Sequence, residues 1–284
     1  MNNINNKNNN ININNSTNDK NNMNSDENKN EIKISSNLIN NSNNDKMDNN
    51  INIITIDGPA GCGKSTIAKM LAKEFNLIYV DTGAMYRALT LIAIENNINL
   101  NDEDNIINVA QNSNLEFDYS VGDINKYTKV FLNGRDITLD IRSKKVGEAV
   151  SIVSALSKVR AYLVKLQRKI AFKYPCVLEG RDTGSVVCPD AICKIYLTAS
   201  IEERVNRREK QLCENNQILE REQIKKEIET RDKIDSSRKD SPLIIPSGAS
   251  VIDTSNLSIK EVFNMIKDIY NERLNYLNKK NVCN

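Results

Sequence analysis

The 284-residue sequence predicts an α/β fold, a five-stranded parallel sheet covered by helices on both faces. Short β-branched runs recur along the chain, each followed by a polar or glycine turn and then a helical pattern. A glycine-punctuated loop joins the first run to the first helix. A single break in the rhythm, around an Asn-Gly dipeptide, marks a small β-containing insert.

The five strands are expected at 51–56 (INIITI), 77–80 (LIYV), 176–179 (CVLE), 193–198 (CKIYLT) and 250–253 (SVID). The first helix follows from Ile67, Met70, Leu71 and Phe75, which fall three or four apart and share one face. Further helices read over 84–96, 102–111, 142–154, 158–173, 200–213, 220–236 and 258–277. Between them, "LEFDY" and "KVFLNGRDI" predict short antiparallel strands joined at Asn133-Gly134, within an insert of about 113–150. Residues 278–284 are expected to fray.

Residues 1–50 differ in texture. Of these, 23 are asparagine, so too little apolar surface is available to offset the entropy of ordering, and a disordered tail without chemistry is expected. The domain proper is expected over 51–277.

Composition excludes several classes. The net charge of +2 points to neither nucleic acid nor an anionic membrane. No apolar run approaches the roughly 20 residues of a membrane span. The N-terminus has no hydrophobic signal core, and its first 50 residues lack arginine, so neither a secretory nor an organellar leader is expected. Six cysteines without Cys-x-x-Cys spacing, and no histidine at all, point to a reduced thiol set and against zinc. A cytoplasmic monomer acting on small molecules is expected. With no histidine as general base, catalysis must use carboxylates, Lys, Arg, backbone amides and a bound ion.

"GPAGCGKS", Gly58 to Ser65, fits G-x-x-x-x-G-K-[ST] between a strand and an amphipathic helix. Gly58, Gly61 and Gly63 let the backbone wrap phosphate oxygens, and the positive end of the following helix favours the same charge. The loop residues Pro59, Ala60 and Cys62, with Thr66 after it, complete the expected ATP-binding stretch. Lys64 is expected between the β- and γ-phosphates, and Ser65 on Mg²⁺. Guanine-reading Asn-Lys-x-Asp is missing, which leaves ATP-driven machines and small-molecule kinases.

Polar residues cluster where strands end. "DTGAMYR" supplies Asp81, Thr82 and Arg87, and "EGRDTGSVV" supplies Arg181 and Asp182. "RDKIDSSRKDSP" supplies Arg231, Asp235 and Arg238, whose spacing places all three on one helical face. A phosphoryl acceptor that is itself a phosphate needs several cations between two anionic tails, and arginine grips phosphate at two points. Taken alone, the helix set reads equally well as solvated surface salt bridges.

Together, "ITIDGPAGCGKST", "DTGAMYRALT", "EGRDTGSVVCPDAICKIYLTASIEERVNRR", "RDKIDSSR" and "SVIDTSNLSIKEV" resemble the bacterial-type cytidylate kinases, over about residues 51–272. The resemblance implies a P-loop kinase core, a monophosphate-binding insert at 113–150 and a helical lid at about 200–240. It implies transfer of the γ-phosphoryl of ATP, with Mg²⁺, to CMP or dCMP. Lys64, Arg181 and Asp182 are then expected to be catalytic, and Arg87 and Arg181 to hold the CMP phosphate. Arg231 and Asp235 are expected to face phosphate and ribose; Ser151, Arg160, Asp182 and Arg238 the cytosine. Thr82 stands where many relatives have serine. Arg204, Arg207 and Arg208 are expected to be lid arginines, with Arg135 and Arg142 closing from the insert. Ile234, Cys188 and Cys62 depart from the usual pattern.

Cytosine presents an amino donor beside ring acceptors, so an aspartate and an arginine match it, whereas uracil reverses the first two positions. A UMP kinase, or a non-catalytic ATP-dependent module binding RNA or protein, are the alternative readings.

Overall fold

The computed structural model describes residues 33–34, 52–119, 127–214 and 217–282. The expected disordered tail lies outside the described residues, apart from Lys33–Ile34. That pair forms a two-residue strand, β1, parallel to a later strand of the insert.

The main sheet contains β2 (Ile53–Asp57), β3 (Ile78–Asp81), β7 (Cys176–Gly180), β8 (Cys193–Thr198) and β9 (Ser250–Asp253). Its order is β3-β7-β2-β8-β9, and every pairing is parallel. All five strands lie within two residues of their expected bounds. The two-residue side-chain period sends Val177 to one face and Leu178 to the other. On β2, Ile54 and Ile56 enter the core shared with α1 (Lys64–Glu74) and α8 (Ile259–Val282), where Phe75 meets Tyr270 edge to face. The opposite face packs against α2 (Thr82–Glu95), α3 (Glu103–Asn112) and α5 (Ser157–Ala171). Ile266, Ile92 and Leu163 are wholly buried, each stabilising the fold by about 1.5–3 kcal/mol.

Local sequence explains the helix starts. Asp81 and Asp102 accept from the amides of Ala84 and Asn105, capping α2 and α3. Ser258 and Glu261 form a reciprocal capping box before α8, with the Ser258 amide donating to Glu261 at 2.8 Å. That helix continues to Val282, beyond Leu277 where the sequence reading ended it; residues 283–284 lie outside the described set.

The insert holds β4 (Leu115–Asp118), β5 (Lys129–Leu132) and β6 (Arg135–Asp136) in an antiparallel sheet. Asn133 and Gly134 have φ of 52° and 80°, the positive pair that a two-residue hairpin turn requires. A 3-10 turn (Asp140–Arg142) leads into α4 (Lys144–Val153). Two further helices, α6 (Ile201–Glu214) and α7 (Arg221–Ser237), pack through their own apolar cluster of Val205, Leu212, Ile224 and Ile228. This cluster is separate from the two clusters that cover the sheet.

Several residues expected at the site stand at or just after the carboxyl ends of the strands. Asp57, Asp81, Gly180 and Thr198 end β2, β3, β7 and β8, and the chain skips over β7 on its way from β2 to β3. The crevice at such a crossing is where ligands of open α/β sheets bind.

Candidate active site

The loop from Gly58 to Gly63 runs from β2 into α1. Gly58 has φ 145°, and a Cβ there would fall 2.0 Å from the Leu197 carbonyl oxygen, so no other residue fits. Gly63 has φ 91° and caps α1 in the left-handed region. Inside the loop, Lys64 is buried and its Nζ donates to the Pro59 carbonyl at 2.6 Å. Burial lowers its pKa, and the Arg181 charge lowers it further.

Ser65 Oγ donates to Glu179 Oε1 at 2.8 Å, and Tyr79 Oη donates to the same oxygen at 2.6 Å. Glu179 Oε2 is buried without a hydrogen-bond partner. Burial raises the Glu179 pKa, with nearby Asp81 adding to the rise and Lys64 opposing it. No cluster of three or more cysteine, aspartate or glutamate groups among the described residues could hold a metal alone. An orphaned carboxylate oxygen beside a loop hydroxyl does fit Mg²⁺, which binds through one or two protein groups with substrate phosphates and water.

Across the crevice lies a set of cations. Burial lowers the Arg231 pKa to about 9, and Arg181, Arg87 and Arg208 lower it in turn while Asp235 resists. Arg231 has no hydrogen bond or ion pair among the described residues. Arg87, on α2, is lowered by burial and by the neighbouring arginines, against Asp81. Burial acts against the Arg181 charge too, yet Asp235, 2.9 Å from its Nε, brings the pKa above its usual value. Cations held this close need an anion among them.

Beside this set, Arg160 and Asp182 form an ion pair at 2.5 Å with side chains 3% and 6% exposed. Arg160 Nε and Arg238 Nη2 are buried and unpartnered, and Tyr86 Oη and Gln167 Nε2, buried and near enough to interact with each other, meet no other partner. Tyr86 lies under Arg160, 5.3 Å from guanidinium to ring, and its pKa is raised by burial and then by Asp182. Arg238 touches Asp235 at 3.4 Å. Native proteins rarely leave so many buried polar atoms unpaired in one place unless a ligand completes them.

The expected residues divide accordingly. Lys64, Ser65, Arg87, Arg160, Arg181, Asp182, Arg231, Asp235 and Arg238 come together at the carboxyl edge. Thr82 is buried, its hydroxyl donating to the Glu179 carbonyl at 2.7 Å. Gly147 on α4 has its Cβ position 3.8 Å from Arg87 Nη1, and Ser151 follows it by four residues on the same helical face.

Two expectations change. Arg238 is not on the helical face with Arg231 and Asp235: α7 ends at Ser237, and Arg238 is extended. Its Nε donates to the Ser241 carbonyl and the Leu243 amide donates to Asp235, a local turn that ends the helix early. Arg135 does not approach the crevice, because Glu95 binds it at 2.6 Å on an exposed surface. Arg142 does approach, pairing with Asp81 at 3.3 Å and stacking on Tyr127.

The three α6 arginines have different partners. Arg204 pairs with Asp232 and donates to the Ala60 carbonyl at 3.3 Å, at the mouth of the phosphate loop. Arg207 donates to Thr254 at 2.9 and 2.7 Å. Arg208 is exposed and bonds Gln211, yet its charge reaches Arg87 and Arg231.

Sequence reasoning missed Glu179, Tyr79, Tyr86 and Gln167. Glu179 precedes Arg181 in "EGRD" and Tyr86 precedes Arg87, so both lay inside quoted motifs. Gln167 follows Arg160 by seven residues, two helical turns, a spacing that could have placed it on the same face.

A family model described as cytidylate kinase matches residues 54–272. A cytidylate kinase of Caldanaerobacter subterraneus subsp. tengcongensis is 48% identical over 74% of this chain and 90% of its own. Another from Fusobacterium nucleatum subsp. nucleatum is 46% identical over 75% and 94%. A third, from Lactobacillus johnsonii, is 43% identical over 79% and 96%.

Proposed function

We infer the roles of individual residues from the premise that this chain belongs to the cytidylate kinase family. It is an ATP-dependent kinase that phosphorylates CMP and dCMP, giving ADP and the diphosphate. The observation that carries the residue assignment is the mutually repelling, half-buried set of Arg87, Arg181 and Arg231, whose charges act on one another and, for Arg181 and Arg231, on Lys64 of the phosphate loop.

In this reading the loop from Gly58 to Thr66 holds the ATP phosphates through backbone amides, and Lys64 leaves Pro59 to neutralise them. Arg87, Arg181 and Arg231 hold the CMP phosphate opposite. Asp235 keeps Arg181 aimed and faces the ribose. Asp182, aligned by Arg160, accepts from the cytosine amine, while Arg238 and Ser151 complete the base pocket. The unpartnered Arg160 Nε and Arg238 Nη2 support a polar ligand there. Thr82 braces β3 against β7 beneath the phosphate.

Ser65, with Glu179 behind it, would hold Mg²⁺, which supplies charge stabilisation to the transferring phosphoryl group. The attacking CMP oxygen is already ionised, so no strong base is needed. Arg204 guards the loop mouth, Arg208 extends the acceptor cations, and closure of α6 and α7 excludes water.

Small-molecule substrates, a monomer and a cytoplasmic location complete the proposal, with residues 1–50 outside the chemistry. The five described cysteines are unpaired, as a reducing compartment favours. Among the described residues no helix is long and apolar enough to cross a membrane. Steady-state kinetics test the assignment: Arg181→Ala should raise the KM for CMP far more than that for ATP, and equal effects would refute it.

A further inference from the structure

Asp57 ends β2, is wholly buried, and has no role in the residue assignment above. Thr55 and Asp57 alternate with Ile54 and Ile56, so the carboxylate leaves the sheet on the face covered by a π-helical turn, Thr183–Val187. There Oδ1 accepts from the Thr183 amide and hydroxyl, both at 2.8 Å, and Oδ2 accepts from the Gly184 amide at 2.7 Å. These three donors belong to the two residues that directly follow Arg181 and Asp182.

The fit leaves no slack. A Cβ on Gly184 would stand 2.7 Å from Thr55 Oγ1 and 3.3 Å from Asp57 Oδ2, so only glycine lets the turn come this close. From that turn Arg181 reaches Asp235 on α7, and Asp182 reaches Arg160 on α5. On its other side Asp57 is bonded to Gly58, the first residue of the phosphate loop. A carboxylate in a dry interior is costly, and burial drives this one up to about 6 against the pull of its three donors. A neutral side chain would fill the space without that cost.

We propose that Asp57 is a positioning residue for the acceptor nucleotide. By holding Thr183 and Gly184 it fixes the turn from which Arg181 addresses the CMP phosphate and Asp182 the base. Because its own backbone leads into the phosphate loop, one strand end sets the distance between donor and acceptor. The inference rests on the assignment of Arg181 and Asp182 to CMP made above.

The test is steady-state kinetics on the full chain. In Asp57→Asn an amide NH₂ must face an N–H or O–H donor, so at least one hydrogen bond is lost. The KM for CMP should rise about 10-fold or more, with the KM for ATP changed less than about twofold. Thr183→Val, which removes one donor and keeps the volume, should raise the CMP KM about threefold, and Thr183→Ser should restore it. The double variant Asp57→Asn/Thr183→Val should be no worse than Asp57→Asn, since both break one network.

Equal rises for ATP and CMP, or no rise for CMP, would overturn the proposal, as would additive effects in the double variant. If Asp57→Asn does not fold, the comparison of Thr183→Val with Thr183→Ser decides alone. Arg181→Ala in the same assay separates the two claims. A CMP KM unmoved by Arg181→Ala removes the site assignment; one that moves while Asp57→Asn has no effect removes only the positioning role.

Discussion

Ser65 Oγ lies 2.8 Å from Glu179 Oε1, so the hydroxyl of the phosphate loop is bonded to a buried carboxylate on the neighbouring strand. Strand pairing sets this contact, because β2 and β7 run side by side with Ile56 opposite Glu179. Ser65 lies in the first turn of α1, the helix that follows β2. Tyr79 on β3 holds the same oxygen from the far side. Three segments remote in sequence thus place one carboxylate behind the proposed metal position.

Glu179→Gln keeps the shape and removes the charge. The rate at saturating CMP should fall about 10- to 100-fold, and the Mg²⁺ concentration for half-maximal rate should rise. CMP binding measured without ATP or metal should be unchanged. Initial rates across a Mg²⁺ titration, with calorimetry for CMP, check both halves.

Arg231 is ionised at neutral pH although burial and three neighbouring cations oppose it. Desolvation and the charges of Arg181, Arg87 and Arg208 act against its own charge, which costs the folded state stability at neutral pH. Arg231→Met should therefore melt at the same temperature as wild type or a few degrees higher. The wild type should gain about 2.7 kcal/mol from CMP at 100 times its Kd, and the variant far less at the same concentration. Thermal melts with and without CMP read this directly; a variant that melts low yet keeps its CMP shift would contradict it.

Asp182 and Arg160 are buried as a pair, so removing one charge strands the other. Asp182→Asn should narrow the preference for CMP over UMP, because the carboxylate that matches the cytosine amine becomes an amide able to donate to uracil. Asp182→Ala should narrow it as well and also lower stability by about 3–5 kcal/mol. Paired kcat/KM values for the two monophosphates, beside a denaturant titration, distinguish selectivity from damage.

The Asp57 carboxyl is pushed up to about 6 by burial first and by Asp182 among the charges. Asp182, Cys188 and Tyr196 are the titratable groups that sense it. An acid with a native pKa above its ordinary 3.8 binds more protons folded than unfolded. Its effect therefore favours the folded state as pH falls from about 6 towards 3.8, and disfavours it as pH rises. Relative to Asp57→Asn, the wild type should gain up to about 1.4 kcal/mol per pH unit over that window. Denaturant unfolding at a series of pH values checks it, and a flat difference would refute it.

Much of this arrangement was readable from residue order. Alternating β-branched runs and one-faced helices locate all five sheet strands, because buried parallel strands demand that composition. Asn133-Gly134 announces its hairpin because two positive φ values are needed there. What was not readable depends on long-range partners. Glu179 looks like the charged end of a strand until Ser65 and Tyr79 arrive beside it. Arg135 looks like a nucleotide clamp until Glu95, forty residues earlier, takes it. Arg238 looks helical because spacing alone cannot show that Ser241 and Leu243 pull the chain out of α7.

The central claim is that paired cations and a base pocket, set against a phosphate loop, select cytidine monophosphate as acceptor. Rates of ADP formation from ATP and Mg²⁺, with CMP, UMP, AMP and GMP at equal concentration and the products identified, test it most directly. The account predicts that CMP becomes CDP at a rate orders of magnitude above the others. Turnover of UMP as fast as CMP, or ATP consumption that yields no CDP, would contradict it.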